Sequence, residues 1–346
     1  MLVVKLSSLG DTLHALPAVA ELRDRLGYAV DWAVQPECAA LVGAFSCVDR
    51  VLRVPRPSRP RQWLGAIASL RRGAEYSLVL DMQGLLKSAI VARAARRAPG
   101  ARLVGPSFAR EGSWLFYGEL AGRRDKNRHA IDENFDVLRH LGLPVPQTPR
   151  FPLRLPDLDP VALDPGCAGR AMVAVAPFSR WPSKNWPAER FAEAIAMITS
   201  RLGARALVLG GPGDRDGAQE IIRASGVDAA NLCGKLSIVE SAAVIARCAA
   251  LLTNDSGPMH IAAALGVPCV VPFGPTAPGR TGPHGTIHRV LRAPQSVCRR
   301  APCRKRICPL GTGACMAAIS ADEVFREVAA AASKSLSRES RKEVAP

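Results

Sequence analysis

One hexapeptide of this chain has the composition of a phosphate-binding turn: DSGPMH at positions 255–260. It follows an apolar run, 248–253, typical of a buried strand, and precedes an alanine-rich segment, 261–265, typical of a helix start. A strand that leads directly into a helix presents backbone N–H groups and the positive end of the helix dipole. The pattern therefore predicts a diphosphate site at Ser256, Gly257 and His260, with Asp255 orienting these groups or contacting another part of the ligand.

A second strand-loop-helix pattern lies at the start of the chain. Residues 2–6 (LVVKL) predict a short buried strand, 7–11 (SSLGD) a loop, and 12–19 a helix with apolar residues at helical spacing. Asp11 lies in this loop, and two roles fit it. It could cap the helix, which is worth about 1 kcal/mol, or it could act as a general base that takes a proton from a substrate hydroxyl.

Two further loops carry residues that suit a nucleotide. Lys184, with Ser179 and Ser183 nearby, lies between a strand and a helix that is predicted to begin near residue 187. A lysine in this position could neutralise a departing diphosphate. Asp214 and Asp216 follow a glycine-rich turn and could either accept hydrogen bonds from ribose hydroxyls or simply form the turn.

These loops belong to a repeated alternation of strands and helices. The predicted strands are at 2–6, 29–34, 51–54 and 78–80, and again at 172–176, 205–209, 249–253 and 269–273. Such alternation favours parallel sheets covered by helices on both faces, in which ligands bind beyond the carboxyl ends of the strands. The predicted fold is α/β, with two doubly wound Rossmann-like domains facing a cleft.

A proline-rich stretch separates the two series of strands and is typical of a linker. At 346 residues the chain is long enough for two domains. The predicted organisation is a domain at 1–150, a linker at 151–170, a second domain at 171–335 and a polar tail at 336–346.

The charge balance points to acidic partners. Lys and Arg number 46 against 30 Asp and Glu, a net charge of +16, and arginine dominates two basic runs in the N-terminal half. Aromatic residues make up only 5%, which argues against nucleic acid as a partner. The start of the chain has no signal-peptide pattern, and no apolar run reaches the roughly 18 residues of a membrane span. We expect a cytoplasmic protein in peripheral contact with the anionic face of the inner membrane.

Four cysteines, Cys298, Cys303, Cys308 and Cys315, lie within 18 residues amid basic side chains. Four thiolates could bind zinc or an iron–sulfur cluster, but no pair has the two-residue spacing typical of such sites. The spacing therefore favours a basic loop of reduced or partly bridged cysteines over a metal site. Two D-x-D spacings, 157–159 and 214–216, could hold Mg²⁺, yet the first lies in the linker and the second contains its own arginine. No metal and no cofactor are predicted.

The sequence has neither a G-x-G-x-x-G fingerprint directly after a strand nor a P-loop, which disfavours nicotinamide dehydrogenases and P-loop kinases. Several motifs instead resemble glycosyltransferase family 9, the lipopolysaccharide heptosyltransferases. They span most of the chain in the order of the family: VKLSSLGDTLHALP at 4–17, LDMQGLLKSA at 80–89, ARE at 109–111 with LFY at 115–117, SKNWP at 183–187, DSG at 255–257 with His260, and GPT at 274–276.

The resemblance implies a GT-B fold and transfer of L-glycero-D-manno-heptose from an ADP-activated donor to the lipopolysaccharide inner core, with inversion at the anomeric carbon. The 81–117 portion resembles the first heptosyltransferase, which acts on Kdo-lipid A, whereas the cysteine-bearing tail is more similar to the second. The acceptor is therefore Kdo-lipid A or a heptosylated inner core. The alternatives are a family member that uses another nucleotide sugar and a basic cysteine-cluster protein that binds nucleic acid.

The resemblance also implies roles for individual residues. Asp11 would be the general base, the N-terminal domain would bind the acceptor, and the C-terminal domain would bind the nucleotide sugar. The predicted donor-binding residues are Ser179, Ser183, Lys184, Asp214, Asp216, Asp255, Ser256, Gly257 and His260. The predicted acceptor-binding residues are Gly10, His14, Lys87 and Arg110, together with Arg59 and Arg61 from a basic run.

Overall fold

A computed structural model of the protein describes residues 1–125 and 127–343, with side chains up to residue 335. The chain divides into two compact units, Met1–Arg154 and Leu155–Pro346. The division falls inside the stretch 151–170 that the sequence suggests as a linker. Each unit contains one six-stranded sheet in which every pairing is parallel.

The first unit has the strand order β3-β2-β1-β4-β5-β6. Its central strand, β1, consists of three fully buried apolar residues, as expected for a parallel strand covered on both faces. The elements are β1 (Leu2–Val4), α1 (Leu9–Leu26), β2 (Asp31–Val34), α2 (Pro36–Gly43), β3 (Arg50–Arg53), α3 (Pro60–Arg72), β4 (Tyr76–Asp81), α4 (Leu86–Ala94), β5 (Arg97–Pro106), a 3₁₀ turn (Ser113–Phe116), β6 (Glu119–Ala121), α5 (Ala130–Asn134) and α6 (Asp136–His140).

The second unit repeats this order as β12-β11-β10-β7-β8-β9. Its two central strands, β7 and β10, pair directly with each other. The elements are α7 (Pro160–Leu163), β7 (Met172–Ala176), a 3₁₀ turn (Pro182–Lys184), α8 (Ala188–Ser200), β8 (Arg205–Val208), α9 (Arg215–Ser225), β9 (Ala230–Asn231), α10 (Ile238–Ala246), β10 (Ala250–Thr253), α11 (Gly257–Ala264), β11 (Cys269–Pro272), α12 (Pro278–Thr281), β12 (Arg289–Leu291), α13 (Ala314–Ala317) and α14 (Ala321–Glu343).

Both sheets confirm the predicted α/β class. In each one the chain runs outward from the first strand and then returns to its other side, so β1–β4 and β7–β10 are the pairs at which the order reverses. Loops that leave the carboxyl ends of such a pair diverge and leave a crevice, which is the usual ligand site of this sheet type. The topology therefore identifies one candidate ligand edge in each unit.

Two helix starts differ from the sequence prediction. The first helix begins at Leu9 rather than at residue 12, and the helix after β10 begins at Gly257 rather than at residue 261. Ser8 and Asp11 form a capping box that draws the first helix back, and Pro258 fits the first turn of α11 because that turn requires no N–H from it. Asp11 and His260 thus lie in first helical turns and not in loops.

The last helix, α14, extends into the predicted polar tail. Within the predicted tail, 336–346, the backbone continues α14 as far as Glu343, and residues 344–346 lie outside the described residues. No helix in the described part of the chain is both long and apolar enough to span a bilayer.

Candidate functional site

The carboxyl end of β1 carries Asp11, the third residue of α1. Its Oδ2 accepts hydrogen bonds from the backbone N–H and the hydroxyl of Ser8, both at 2.8 Å. The capping role that the sequence suggested is therefore realised in the structure. Both bonds use one carboxylate oxygen, and the half-buried side chain still has Oδ1 to accept a proton from a substrate. Helix capping and general-base catalysis are thus compatible.

A buried lysine beside Asp11 escaped the sequence analysis. Lys5 is only 5% exposed, and its Nζ donates to the carbonyl of Met82 at 2.5 Å. Burial lowers the pKa of Lys5, while the negative charges of Asp11, Asp81 and Glu133 oppose that shift. A lysine within the otherwise apolar run LVVKL was the available signal, because lysines are almost never fully buried without a partner. A buried lysine amine therefore interacts electrostatically with the candidate base.

The loop after β4 is tied to the loop that precedes α1. The backbone N–H of Ser7 donates to Oε1 of Gln83 at 3.1 Å. Asp81 is 2% exposed and accepts hydrogen bonds from the Tyr117 hydroxyl at 2.7 Å and from the N–H groups of Gln83 at 2.8 Å and Gly84 at 3.1 Å. Burial raises the pKa of Asp81, and these hydrogen bonds oppose the rise. Asp81 therefore anchors the loop after β4 and holds the Tyr117 hydroxyl beside it.

The predicted acceptor residues Gly10 and His14 are buried on α1. The His14 ring packs edge-on against the His129 ring, with 5.4 Å between centroids. Arg110 is exposed, its backbone N–H donates to the carbonyl of Gly84 at 2.8 Å, and its charge lowers the pKa of Lys5. Arg110 is thus within electrostatic range of the Asp11 region.

The other predicted acceptor residues lie further along the same sheet edge. Lys87 is half-buried on α4, which follows β4. Arg59 and Arg61 are exposed at the start of α3, beyond the edge strand β3 and two strands away from β1. Among the predicted acceptor residues, Arg110 has a charge that acts on Lys5.

The second unit brings Lys184 and Asp255 together. Lys184 ends the 3₁₀ turn after β7, Asp255 follows β10, and their Nζ and Oδ2 atoms are 2.7 Å apart. The same Oδ2 accepts the hydroxyl of Thr276 at 2.6 Å, and the ammonium of Lys184 lies 4.9 Å from the ring centroid of Trp181. The lysine and the aspartate were predicted separately as donor-binding residues. Their ion pair, the ring contact of Trp181 and the hydrogen bond of Thr276 were not predicted.

The N-terminus of α11 forms the second part of this site. Ser256 is the N-cap residue, but its side chain makes no capping bond and lies 3.3 Å from the Thr253 hydroxyl. The first-turn N–H groups of a helix have no partner in the preceding turn of that helix. Gly257 begins the helix, and His260 is half-buried in the first turn. Such a helix end favours negative charge, and it directly follows Asp255, which pairs with Lys184.

A fully buried asparagine, Asn254, holds the loops after β7 and β10 together. Asn254 accepts a hydrogen bond from the Trp186 N–H at 3.0 Å and donates to the carbonyl of Pro177 at 2.6 Å. It therefore links the loop after β7 to the loop after β10. Nothing in its local sequence distinguished it from a turn-forming residue.

The remaining predicted donor residues have structural hydrogen bonds. Asp214 accepts from the Gly211 N–H at 2.8 Å, which is the turn-forming role that the sequence left open, and Asp216 is exposed in the first turn of α9. The Ser179 hydroxyl accepts from the Trp181 N–H at 3.3 Å. The Ser183 hydroxyl donates to the carbonyl of Lys305 at 2.6 Å.

The cysteine-rich segment, residues 298–315, contacts the loop after β7, which bears Lys184, and the loop after β11, which bears Thr276. Besides the Ser183 hydroxyl bond, the Ser183 N–H donates to the carbonyl of Arg306 at 3.2 Å, and the Arg304 N–H donates to the carbonyl of Pro275 at 2.7 Å. The four cysteines are free thiols. Among the side chains that the structure describes, in residues 1–125 and 127–335, no three His, Cys, Asp or Glu are grouped as ligands for a metal ion. The segment braces the loops of Lys184 and Thr276.

Comparisons with known proteins agree with this architecture. Residues 66–312 match the family described as glycosyltransferase family 9 (heptosyltransferase). The chain is 31% identical over 326 residues to lipopolysaccharide heptosyltransferase 1 of Pseudomonas aeruginosa, covering 89% of this chain and 87% of that protein.

Two solved structures of E. coli heptosyltransferase WaaC are similar over nearly the whole chain, each with 26% identity. The structure with ADP has a TM-score of 0.77 and covers 95% of this chain and 99% of its own. The structure with ADP-2-deoxy-2-fluoro heptose has a TM-score of 0.74 and covers 94% and 97%. The two parallel-sheet units thus have the fold of GT-B heptosyltransferases, and the chain belongs to glycosyltransferase family 9, the heptosyltransferase family.

Proposed function

We propose that this enzyme transfers heptose from ADP-heptose to the lipopolysaccharide inner core, with Kdo-lipid A or the first heptose as acceptor, and inverts the anomeric carbon. One observation carries the proposal: β7 and β10 are adjacent, so the Lys184 loop after β7 lies beside the N-terminus of α11 after β10. A cation and helix N–H groups together suit a diphosphate. The similarity to an enzyme solved with ADP and an ADP-heptose analogue supports this donor.

The proposed reaction is a single displacement. Asp11 takes the proton of the acceptor hydroxyl through Oδ1, and the resulting oxygen nucleophile attacks the anomeric carbon from the face opposite the diphosphate. The glycosidic bond forms as the bond between that carbon and the diphosphate oxygen breaks. ADP leaves with the electron pair, and Lys184 with the first-turn N–H groups of α11 stabilises its charge. One displacement gives inversion.

No divalent metal ion is required in this proposal. The two D-x-D spacings that could have held Mg²⁺ have structural partners: Asp157 pairs with Arg247 at 2.8 Å, Asp159 accepts from the Val161 N–H at 2.9 Å, and Asp214 accepts from Gly211. The partners of these three carboxylates support assigning the neutralising charge to Lys184.

The proposed activity is tested directly by mass spectrometry. The purified enzyme, ADP-heptose and Kdo-lipid A are expected to give a product heavier by one heptose, and the rate should not change when EDTA is added. A parallel reaction with heptosylated core distinguishes first from second heptose addition. Transfer from another nucleotide sugar and not from ADP-heptose would overturn the donor assignment. Loss of activity in EDTA with recovery in Mg²⁺ would overturn metal independence.

A second test concerns the proposed acceptor side. Arg110→Ala is expected to raise the acceptor KM by about tenfold or more and leave the donor KM unchanged, because a charge-assisted hydrogen bond to an acidic sugar would be lost. Steady-state kinetics with a water-soluble inner-core saccharide measures both constants. Arg71→Ala, an exposed arginine at the end of α3, is the matched control and should change neither. A defect confined to the donor KM would assign Arg110 another role.

We also propose that the enzyme works on the cytoplasmic face of the inner membrane as a peripheral protein, since its proposed acceptor is lipid-anchored and its net charge is +16. Nucleic acid is not among the proposed partners.

A further inference from the structure

The first unit exposes four large apolar side chains on two neighbouring elements. Leu86 and Ile90, 38% and 36% exposed, lie four residues apart and hence on one face of α4. Trp114 and Leu115, 50% and 78% exposed, lie on the 3₁₀ turn that packs against α4. We call these four residues the apolar patch. Burying a tryptophan and a leucine contributes strongly to binding, so their joint exposure indicates a surface that meets a partner.

The surroundings of the apolar patch are mainly cationic. Arg93 lies one turn beyond Ile90 on the exposed face of α4, Lys87 follows Leu86, and Arg110 precedes the 3₁₀ turn. The acidic residue at this border is Glu111, whose carboxylate accepts the N–H of Leu86 at 3.2 Å. Exposed tryptophan and leucine flanked by arginine and lysine are the composition of a segment that lies in the headgroup region of an anionic bilayer.

The apolar patch is attached to the candidate acceptor site by hydrogen bonds. The carbonyl of Gly84 accepts from the Arg110 N–H at 2.8 Å and from the Ser113 hydroxyl at 3.1 Å. Gly84 belongs to the loop after β4, and Gln83 of that loop accepts the N–H of Ser7 next to the α1 capping box. The elements that carry the apolar patch and Asp11 therefore form one connected framework within the first unit.

We propose that the apolar patch docks onto an anionic phospholipid bilayer and that Trp114 and Leu115 enter its headgroup region. This inference rests on the proposed function, because a lipid-anchored acidic acceptor presents its sugars at that surface. Docking through the apolar patch brings the ligand edge of the first unit to the level at which the acceptor sugars leave the membrane. Arg93, Lys87 and Arg110 contact lipid phosphates or acidic sugars at the same level.

Vesicle co-sedimentation of the full-length enzyme tests the proposal. The wild type is expected to bind vesicles of phosphatidylglycerol and phosphatidylethanolamine, to bind phosphatidylcholine vesicles weakly, and to lose affinity in high salt. Trp114→Ser/Leu115→Ser should reduce binding to the anionic vesicles by at least about tenfold. The matched control, Val161→Ser/Val297→Ser, removes two valines that are 39% and 40% exposed in the second unit and should bind like the wild type.

A second readout separates docking from catalysis. With a water-soluble inner-core saccharide, the Trp114/Leu115 variant should turn over like the wild type, and its activity on acceptor embedded in vesicles should fall. Unchanged vesicle binding by that variant would overturn the membrane assignment whatever the activity. Absence of wild-type binding to either vesicle would also overturn it and leave a protein as the partner of this face. Transferase inactivity on every acceptor, with vesicle binding intact, would instead count against the proposed function.

Discussion

Replacement of Asp11 by asparagine is expected to lower kcat by at least about 100-fold, the usual effect of losing a general base. The amide cannot accept the proton of the acceptor hydroxyl, but its oxygen can still accept the hydrogen bonds that Asp11 receives from Ser8. The helix cap should therefore survive, and ADP affinity should stay nearly unchanged. Turnover of the soluble acceptor and calorimetry with ADP measure the two effects.

Ser8→Ala is the matched control for this prediction. It removes the hydroxyl that donates to Asp11 and retains the backbone bond, at a cost of about 1 kcal/mol in the free energy of unfolding. If Asp11 only caps α1, Asp11→Asn and Ser8→Ala should both lower the melting temperature slightly and leave turnover near normal. That result would return Asp11 to a purely structural role.

Replacement of Lys184 by methionine is expected to weaken ADP binding and to lower kcat/KM by about 100-fold or more, because a preorganised charge on the leaving group is lost. The variant also leaves Asp255, which is 5% exposed, without its 2.7 Å ammonium partner. Stability should consequently drop by up to about 3 kcal/mol. A low rate alone would therefore not distinguish catalysis from misfolding.

A double variant resolves this ambiguity. Lys184→Met/Asp255→Asn removes both charges, so denaturant unfolding should recover much of the lost stability while ADP affinity and kcat/KM stay low. Lys235→Met, at an exposed lysine of the same unit, should alter neither property. Calorimetry that finds unchanged ADP affinity in the stable double variant would contradict the assignment of Lys184 to the diphosphate.

Much of the framework was predictable because parallel sheets obey local rules. Short apolar runs, separated by segments with helical periodicity, predicted strands at the positions where β1, β7 and β10 are found. Asp11, Lys184 and Asp255 lie in the segments that follow these three strands. The helix starts were less accurate. The first loop was predicted to end at Asp11. The spacing from Ser8 to Asp11 is itself a capping-box signal, and it indicates the earlier helix start that the structure has.

The contacts that complete the site depend on tertiary structure. Lys5 reaches Met82, and Asn254 reaches Pro177, across 77 residues in each case. A local sequence pattern cannot predict such a partner, because the identity of the partner depends on strand order and on the length of each crossover. The Lys184–Asp255 pair was missed for the same reason: the two residues become neighbours only because β7 and β10 pair at the centre of the sheet.

The hydrogen bonds of the cysteine-rich segment join parts of the chain that are synthesised at different times. Ser183 and Lys305 are 122 residues apart, and Arg304 makes the corresponding bond to Pro275. A ribosome delivers the loops that bear Lys184 and Thr276 before it delivers residues 304–306. The hydrogen bonds that Ser183 and Pro275 make with the cysteine-rich segment can therefore form only after that segment has been synthesised. These two loops are completed late in the synthesis of the chain.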